Sequence, residues 1–252
     1  MKVNRLWIVL FFVLLSGGWE ACSFFEGEAE INSIYFDGDF HLVVEADSLL
    51  GEAFSGDFAV EMWIMGDTVK TLFDRPIVSL SGGGEELFGV YESWKDSSVM
   101  FVSARGDTTF FSVLGGDYRG VNFYYVCVTR LYDVLYVSVN GSSVGRMNLL
   151  RKGFSVDGVY IGGNNSGNRW HGYLDEFRIW KCYKSPSFVS FHYKNPDKLC
   201  IHYAEDCLDD LVVLFRFNKS RSDKIPDEAN FNLYARISGN ISGDNWTDKG
   251  VD

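Results

Sequence analysis

Proline and histidine are scarce in this 252-residue chain, with four of each, and its five cysteines form no Cys-x-x-Cys pair. His41, His171, His192 and His202 are scattered, so the clustered ligands of a zinc site are missing. Positive charge is also short: 23 Lys and Arg face 34 Asp and Glu, for a formal charge of −11. A protein that tracks nucleic-acid phosphates needs a basic stripe. None is present, which excludes that class of partner. No low-complexity segment or whole-chain repeat occurs, and no nucleophile elbow is recognised.

Apolar residues, by contrast, make up 46% of the chain and aromatics 16%, with 21 Phe and 13 Tyr, a bias that suits pleated, half-buried strands. Residues 1–23 read as a secretory signal and its processing region: Lys2 and Arg5 precede ten apolar residues, Leu6 to Leu15, and then small residues. Ala21-Cys22 resembles the end of a bacterial lipoprotein signal, although Trp19 and Glu20 depart from that pattern. The expectation is an exported chain, secreted or held at the cell surface or in the periplasm, with a lipid anchor at Cys22 as its one tie to the membrane. An acidic leader follows at 24–31. Export permits disulfides. Cys200 and Cys207 bracket a short loop and are the preferred pair, while Cys127, amid apolar residues, is either bridged or a small buried thiol.

From Asn32 onward the chain alternates strand patterns with Gly, Asp, Asn and Ser turns. Strands are expected at 32–36, 41–44, 58–65, 77–80, 87–93, 99–104, 109–114, 122–131, 133–139, 159–163, 210–217 and 232–237. Asn140-Gly141 closes the clearest hairpin. A single short helix is expected from Ser185-Pro186, a cap followed by a first-turn proline, to about Tyr193. Gly172 opens a strand to Trp180 in which strict alternation puts Tyr173, Asp175, Phe177 and Ile179 on one face. Phe177 and Ile179 mark that face as core, so Asp175 there would need amide donors or a cation. Glu176 and Arg178, on the other face, read as a surface ion pair.

Four stretches resemble the LamG-like, concanavalin A-type jelly rolls: Ile34-Tyr-Phe-Asp-Gly-Asp39, Val126 to Gly141, Val159 to Gly163, and above all Gly172 to Trp180, which is similar to that family's Gly-x-Ile-Asp-Glu-Val-Arg-Ile-Trp strand. The resemblance implies an all-β, two-sheet antiparallel sandwich over 32–193. Residues 194–252 form an extension expected to complete the same sandwich. Many members hold a structural Ca²⁺; calcium takes six to eight oxygen ligands, for which Asp37, Asp39 and Asp175 are the candidates here. Some relatives are glucanases with two carboxylates across the scissile bond, a spacing not found in this sequence. The expected function is therefore a non-catalytic module that recognises glycan or protein at the cell surface. The alternatives are a structural or assembly domain and a divergent glycoside hydrolase. Aromatic platforms beside polar turns suit sugars, which points to Trp170 with Asn164, Asn165, Asn168 and Arg169, and to Trp94.

Overall fold

The computed structural model describes residues 33–251, apart from 70–71, 94, 96–98, 105–106, 113–119, 121, 150–152, 201–205, 219–223, 230–232 and 248, and without the side chains of 99, 107, 109–112, 206 and 207. The signal region, Cys22 and the acidic leader lie outside the described residues. Residues 32–252 make one compact unit.

Among the described residues sixteen strands run in chain order. They are β1 (Ser33–Asp37), β2 (Phe40–Glu45), β3 (Ala59–Gly66), β4 (Arg75–Gly82), β5 (Glu85–Glu92), β6 (Val99–Ala104), β7 (Asp107–Ser112) and β8 (Tyr124–Leu131). Then come β9 (Val134–Val139), β10 (Ser142–Asn148), β11 (Gly158–Ile161), β12 (His171–Trp180), β13 (Leu211–Phe215), β14 (Lys224–Pro226), β15 (Tyr234–Gly239) and β16 (Trp246–Thr247). The first sheet has the order β10-β9-β8-β3-β12-β1-β16, with β13 also on β12; the second has the order β14-β15-β2-β11-β4-β5-β6-β7. All pairings among these strands are antiparallel. The two sheets enclose one core in which Phe36, Leu42, Met62, Val90, Val126, Ile161 and Phe177 are fully buried. This is the expected jelly-roll sandwich. Strands 211–247 enter both sheets, β13 beside β12 and β15 beside β2.

Among the described residues there are two helices rather than one. The first, α1 (Ser48–Ser55), is capped by Asp47, whose carboxylate accepts the Leu50 amide at 2.9 Å, and it buries Leu50, Ala53 and Phe54. A capping Asp followed by apolar residues at helical spacing was the available signal. The second, α2 (Pro186–Lys194), begins as expected: Ser185 caps the Phe188 amide and Pro186 fills the first turn.

Strict alternation fails inside β12. Asp175 pairs with Trp63 and Arg178 with Glu61, so β12 takes three steps where β3 takes two. The extra residue is a β-bulge, with Glu176 in the left-handed region at φ 48°. Leu174 therefore shares the inner core with Phe177 and Ile179. Asp175 lies instead on the outer face of the first sheet, opposite Trp63, which belongs to a separate outer cluster with Tyr125, Cys127 and Val189. Its carboxylate accepts the Glu176 amide at 2.8 Å and the Val251 amide at 3.2 Å. Backbone donors thus meet it, one of the two expected solutions.

The Glu176–Arg178 pair is not a surface feature. Arg178 is 1% exposed, Glu176 7% and Glu61 1%. Arg178 binds Glu176 at 2.5 Å, lies 3.6 Å from Glu61, and donates to the Pro196 carbonyl. His192 Nδ1 from α2 lies 2.8 Å from Glu61, and Arg216 reaches Glu176 at 3.1 Å. Burial alone would raise the Glu61 pKa, but His192 and Arg178 outweigh it and hold the carboxyl at about 2.

Asp175 goes the other way: burial first, then the Glu176 charge, push its pKa to about 8. A carboxyl raised in the folded state stabilises the fold while protonated, and that contribution is lost as pH rises. Stability should therefore fall between about pH 4 and pH 8 through this group. Denaturant unfolding of Asp175→Asn across that range should show a shallower decline than wild type; parallel curves would refute the assignment.

Candidate ligand-binding cleft

The loop expected to bind ligand is turned to structural work. Trp170 is fully buried in the core, 5.8 Å from the Phe36 ring, and its indole N–H donates to Glu92 at 3.1 Å. It therefore has no surface to offer a sugar. Gly172 makes room for it: a Cβ there would sit 2.3 Å from the Trp170 ring. Asn164 is buried and caps its own loop, accepting the amides of Ser166 and Asn168 at 3.2 and 3.1 Å. Asn165 and Asn168 are exposed and Arg169 half-buried. Trp94 lies outside the described residues.

The candidate calcium carboxylates are not brought together. Asp37 pairs opposite His171, four residues along β12 from Asp175, and its oxygens accept the Asp39 amide and the Asn245 side chain. Among the described residues no three His, Cys, Asp or Glu side chains gather in a metal-holding group. Asp37, Asp39 and Asp175 do not fit a shared ion. Cys127 and Cys182 are free thiols; the expected Cys200–Cys207 bridge falls on Cys207, whose side chain lies outside the described set.

Two outer faces remain. On the second sheet, Tyr91 folds back over Gly89, stacks on Phe101 at 4.9 Å and 2°, and donates its hydroxyl to Glu86, with Asn164 bonded to the same pair. His41 stacks on Tyr160 at 5.7 Å. Tyr91, Glu86 and Asn164 satisfy one another, and His41, Ser79 and Phe101 are buried. Little of this face is left for a ligand.

The first sheet carries an open cleft of about 570 Å³, lined by Trp63, Asn122, Phe123, Tyr124, Asn140, Tyr193 and Lys194. That volume lies within the range of small-ligand sites, roughly 300–1,000 Å³. Four segments build it. Trp63 projects from β3 on the outer face, and the residues leading into β8 supply Asn122, Phe123 and Tyr124. The last turn of α2 sets Tyr193 against Trp63, ring centroids 5.8 Å apart and 21° from parallel. Asn140 and Gly141 form the two-residue turn from β9 to β10, both at positive φ, 49° and 76°, as such tight hairpins require. A Cβ at Gly141 would lie 3.1 Å from the Tyr193 ring and 3.2 Å from Ser190 Cα, so glycine lets α2 close down on the turn. Asn140 Oδ1 accepts the Tyr125 amide at 3.0 Å, which fixes the side chain and leaves its NH₂ as a donor. Asn122 and Lys194 are exposed. The arrangement offers ring faces for apolar C–H surfaces and fixed N–H groups for oxygen acceptors.

A family model described as the concanavalin A-like lectin/glucanases superfamily matches residues 36–190. The chain belongs to this superfamily. Among solved structures, a Bacteroides ovatus protein for which carbohydrate binding has been proposed superposes with a TM-score of 0.62 at 18% identity. That match covers 83% of this chain and 58% of the other, so the chain spans little more than half of that neighbour. A heptameric SAP-like pentraxin from Limulus polyphemus superposes with a TM-score of 0.52 at 16% identity, covering 84% of this chain and 97% of the pentraxin. At such identities the likeness is one of fold. No curated protein matches.

None of the cleft residues was a sequence-level candidate. They come from positions 63, 122–124, 140 and 193–194, and only the sheet order and the helix landing bring them together. The local signals, a hairpin Asn-Gly and a helix ending near Tyr193, were legible separately.

Proposed function

We propose that this chain is an exported, non-catalytic module that binds glycan in the cleft between the β9–β10 turn and the end of α2. The observation that carries the reading is the cleft itself: stacked rings beside amide donors, the combination that holds the apolar face and the hydroxyl rim of a pyranose. Superfamily membership and the carbohydrate binding proposed for the Bacteroides ovatus neighbour support it.

The state of the carboxylates supports the non-catalytic part. Glycosidases place two accessible carboxyls roughly 5–9.5 Å apart. Glu61 and Glu176 are buried on Arg178. On the second sheet, Glu86 is engaged by Tyr91, and Glu45 lies three strands away through Gly158 and Ser81, roughly 14 Å at ordinary strand spacing. Gly141-Ser-Ser-Val-Gly145 has the bare Gly-x-Ser-x-Gly spacing without an elbow's structural context. Ser143 sits on a hairpin strand opposite Ser138, not at the strand-to-helix turn that the chemistry needs.

Glycan-array screening followed by titration calorimetry tests the reading. A bound oligosaccharide should lose about tenfold in affinity, ~1.4 kcal/mol, on Tyr193→Ala, with no loss on Tyr160→Ala across the other sheet. A folded protein that binds no glycan would favour the structural or assembly alternative.

A further inference from the structure

The charge around the cleft narrows the ligand class, given the glycan reading on which this step rests. The chain carries 34 acidic residues, yet among the described residues none lines the cleft, and the charged group there is the Lys194 ammonium. Lys194 is exposed and makes no ion pair among the described residues. Asn122 likewise has no hydrogen-bond partner among them, and the Asn140 oxygen is already occupied by the Tyr125 amide. Of the side-chain groups left to meet a ligand, the ammonium and the Asn140 NH₂ can only donate. Of the buried carboxyls on that face, Glu61 is ionised but paired with Arg178 and His192, and Asp175, opposite Trp63, has its pKa raised to about 8 by burial and Glu176, so both do little to offset the lysine. On a protein of net charge −11, an anionic ligand is repelled at long range, and a local cation is what its capture requires.

We infer that the cleft selects a pyranose bearing a carboxylate, with the sugar ring laid against the open side of the Tyr193 ring, which Trp63 backs, and the carboxylate held by Lys194 and the Asn140 NH₂. Charge-assisted hydrogen bonds of this kind are about twice as strong as neutral ones. At an exposed lysine they are also screened by salt.

The test is a panel of uronic-acid oligosaccharides, each beside its methyl ester, and matched neutral oligosaccharides, titrated into the full chain by calorimetry at low and high NaCl. The expected result is at least one acid bound about tenfold tighter than its ester, with the preference shrinking in salt. The preference should be abolished in Lys194→Met and kept in Lys194→Arg, with the melting temperature unchanged in both. Equal affinity for acid and ester, or a preference untouched by Lys194→Met, would overturn the inference while leaving glycan binding intact. Binding of neutral sugars alone would also overturn it. Failure of every sugar, neutral and acidic, would overturn the glycan reading beneath it.

Discussion

Arg178→Met is expected to lower the unfolding free energy by about 3–5 kcal/mol, the usual cost of removing one partner from a buried ion cluster. The reason is what stays behind. Glu61 and Glu176 remain beneath α2 at 1% and 7% exposure, and the Pro196 carbonyl loses its guanidinium donor. His192 and Arg216 still reach the two carboxylates, but neither replaces a cation shared between them. The arginine also pins the 195–197 turn to the sheet, and that turn ends the helix carrying Tyr193 and Lys194, so the cleft should loosen with it. Replacing Glu61 and Arg178 together by Leu and Met should recover much of the loss, since an apolar exchange removes charge and counter-charge at once. Urea unfolding at pH 7 measures both. A loss below about 1 kcal/mol for the single variant is the behaviour of an exposed pair and would contradict the buried network.

Trp170→Ala should cost a similar amount, about 3–5 kcal/mol, through the cavity left by a fully buried indole. The ring fills the core beside Phe36 and closes over Gly172, and its N–H serves Glu92, which also binds Arg75 at 2.5 Å. Trp170→Phe retains most of the volume and should cost only ~1–2 kcal/mol for the lost buried donor. Glycan affinity should be unchanged in the Phe variant, because Trp170 touches no ligand. Thermal unfolding and titration of the same two variants separate the roles: near-wild-type stability with lost binding would return Trp170 to the ligand site.

The strand pattern was legible because both sheets face a common core and leave an alternating signature, as in β3, where Val60, Met62 and Ile64 face inward. Legibility ended where one residue broke the period. Glu176 adopts a left-handed backbone without being glycine, so nothing in its identity announces a bulge, and every face assignment upstream of it in β12 inverts. Asp175 and Leu174 exchanged roles for that reason. Trp170 was misplaced by a different cause: tryptophan beside a polar loop suits a ligand platform and a core plug equally well, and the deciding fact, the missing Cβ of Gly172 two residues on, acts only in three dimensions. The outer face of the first sheet carries Glu61 and Arg178 at positions that read as solvent-facing. It is buried because α2 and the segment after it fold back across the sheet, and a strand's alternation does not record what later covers it.

Backbone-amide NMR of the ¹⁵N-labelled chain, titrated with the tightest oligosaccharide from the array, tests the central claim most directly. Binding in the cleft predicts shifts concentrated at Trp63, residues 122–124, Asn140, Gly141, Tyr193 and Lys194, with the Trp63 indole N–H among the largest. Shifts confined to the second sheet around Tyr91, Phe101 and Tyr160, or to the 164–169 loop, would contradict it.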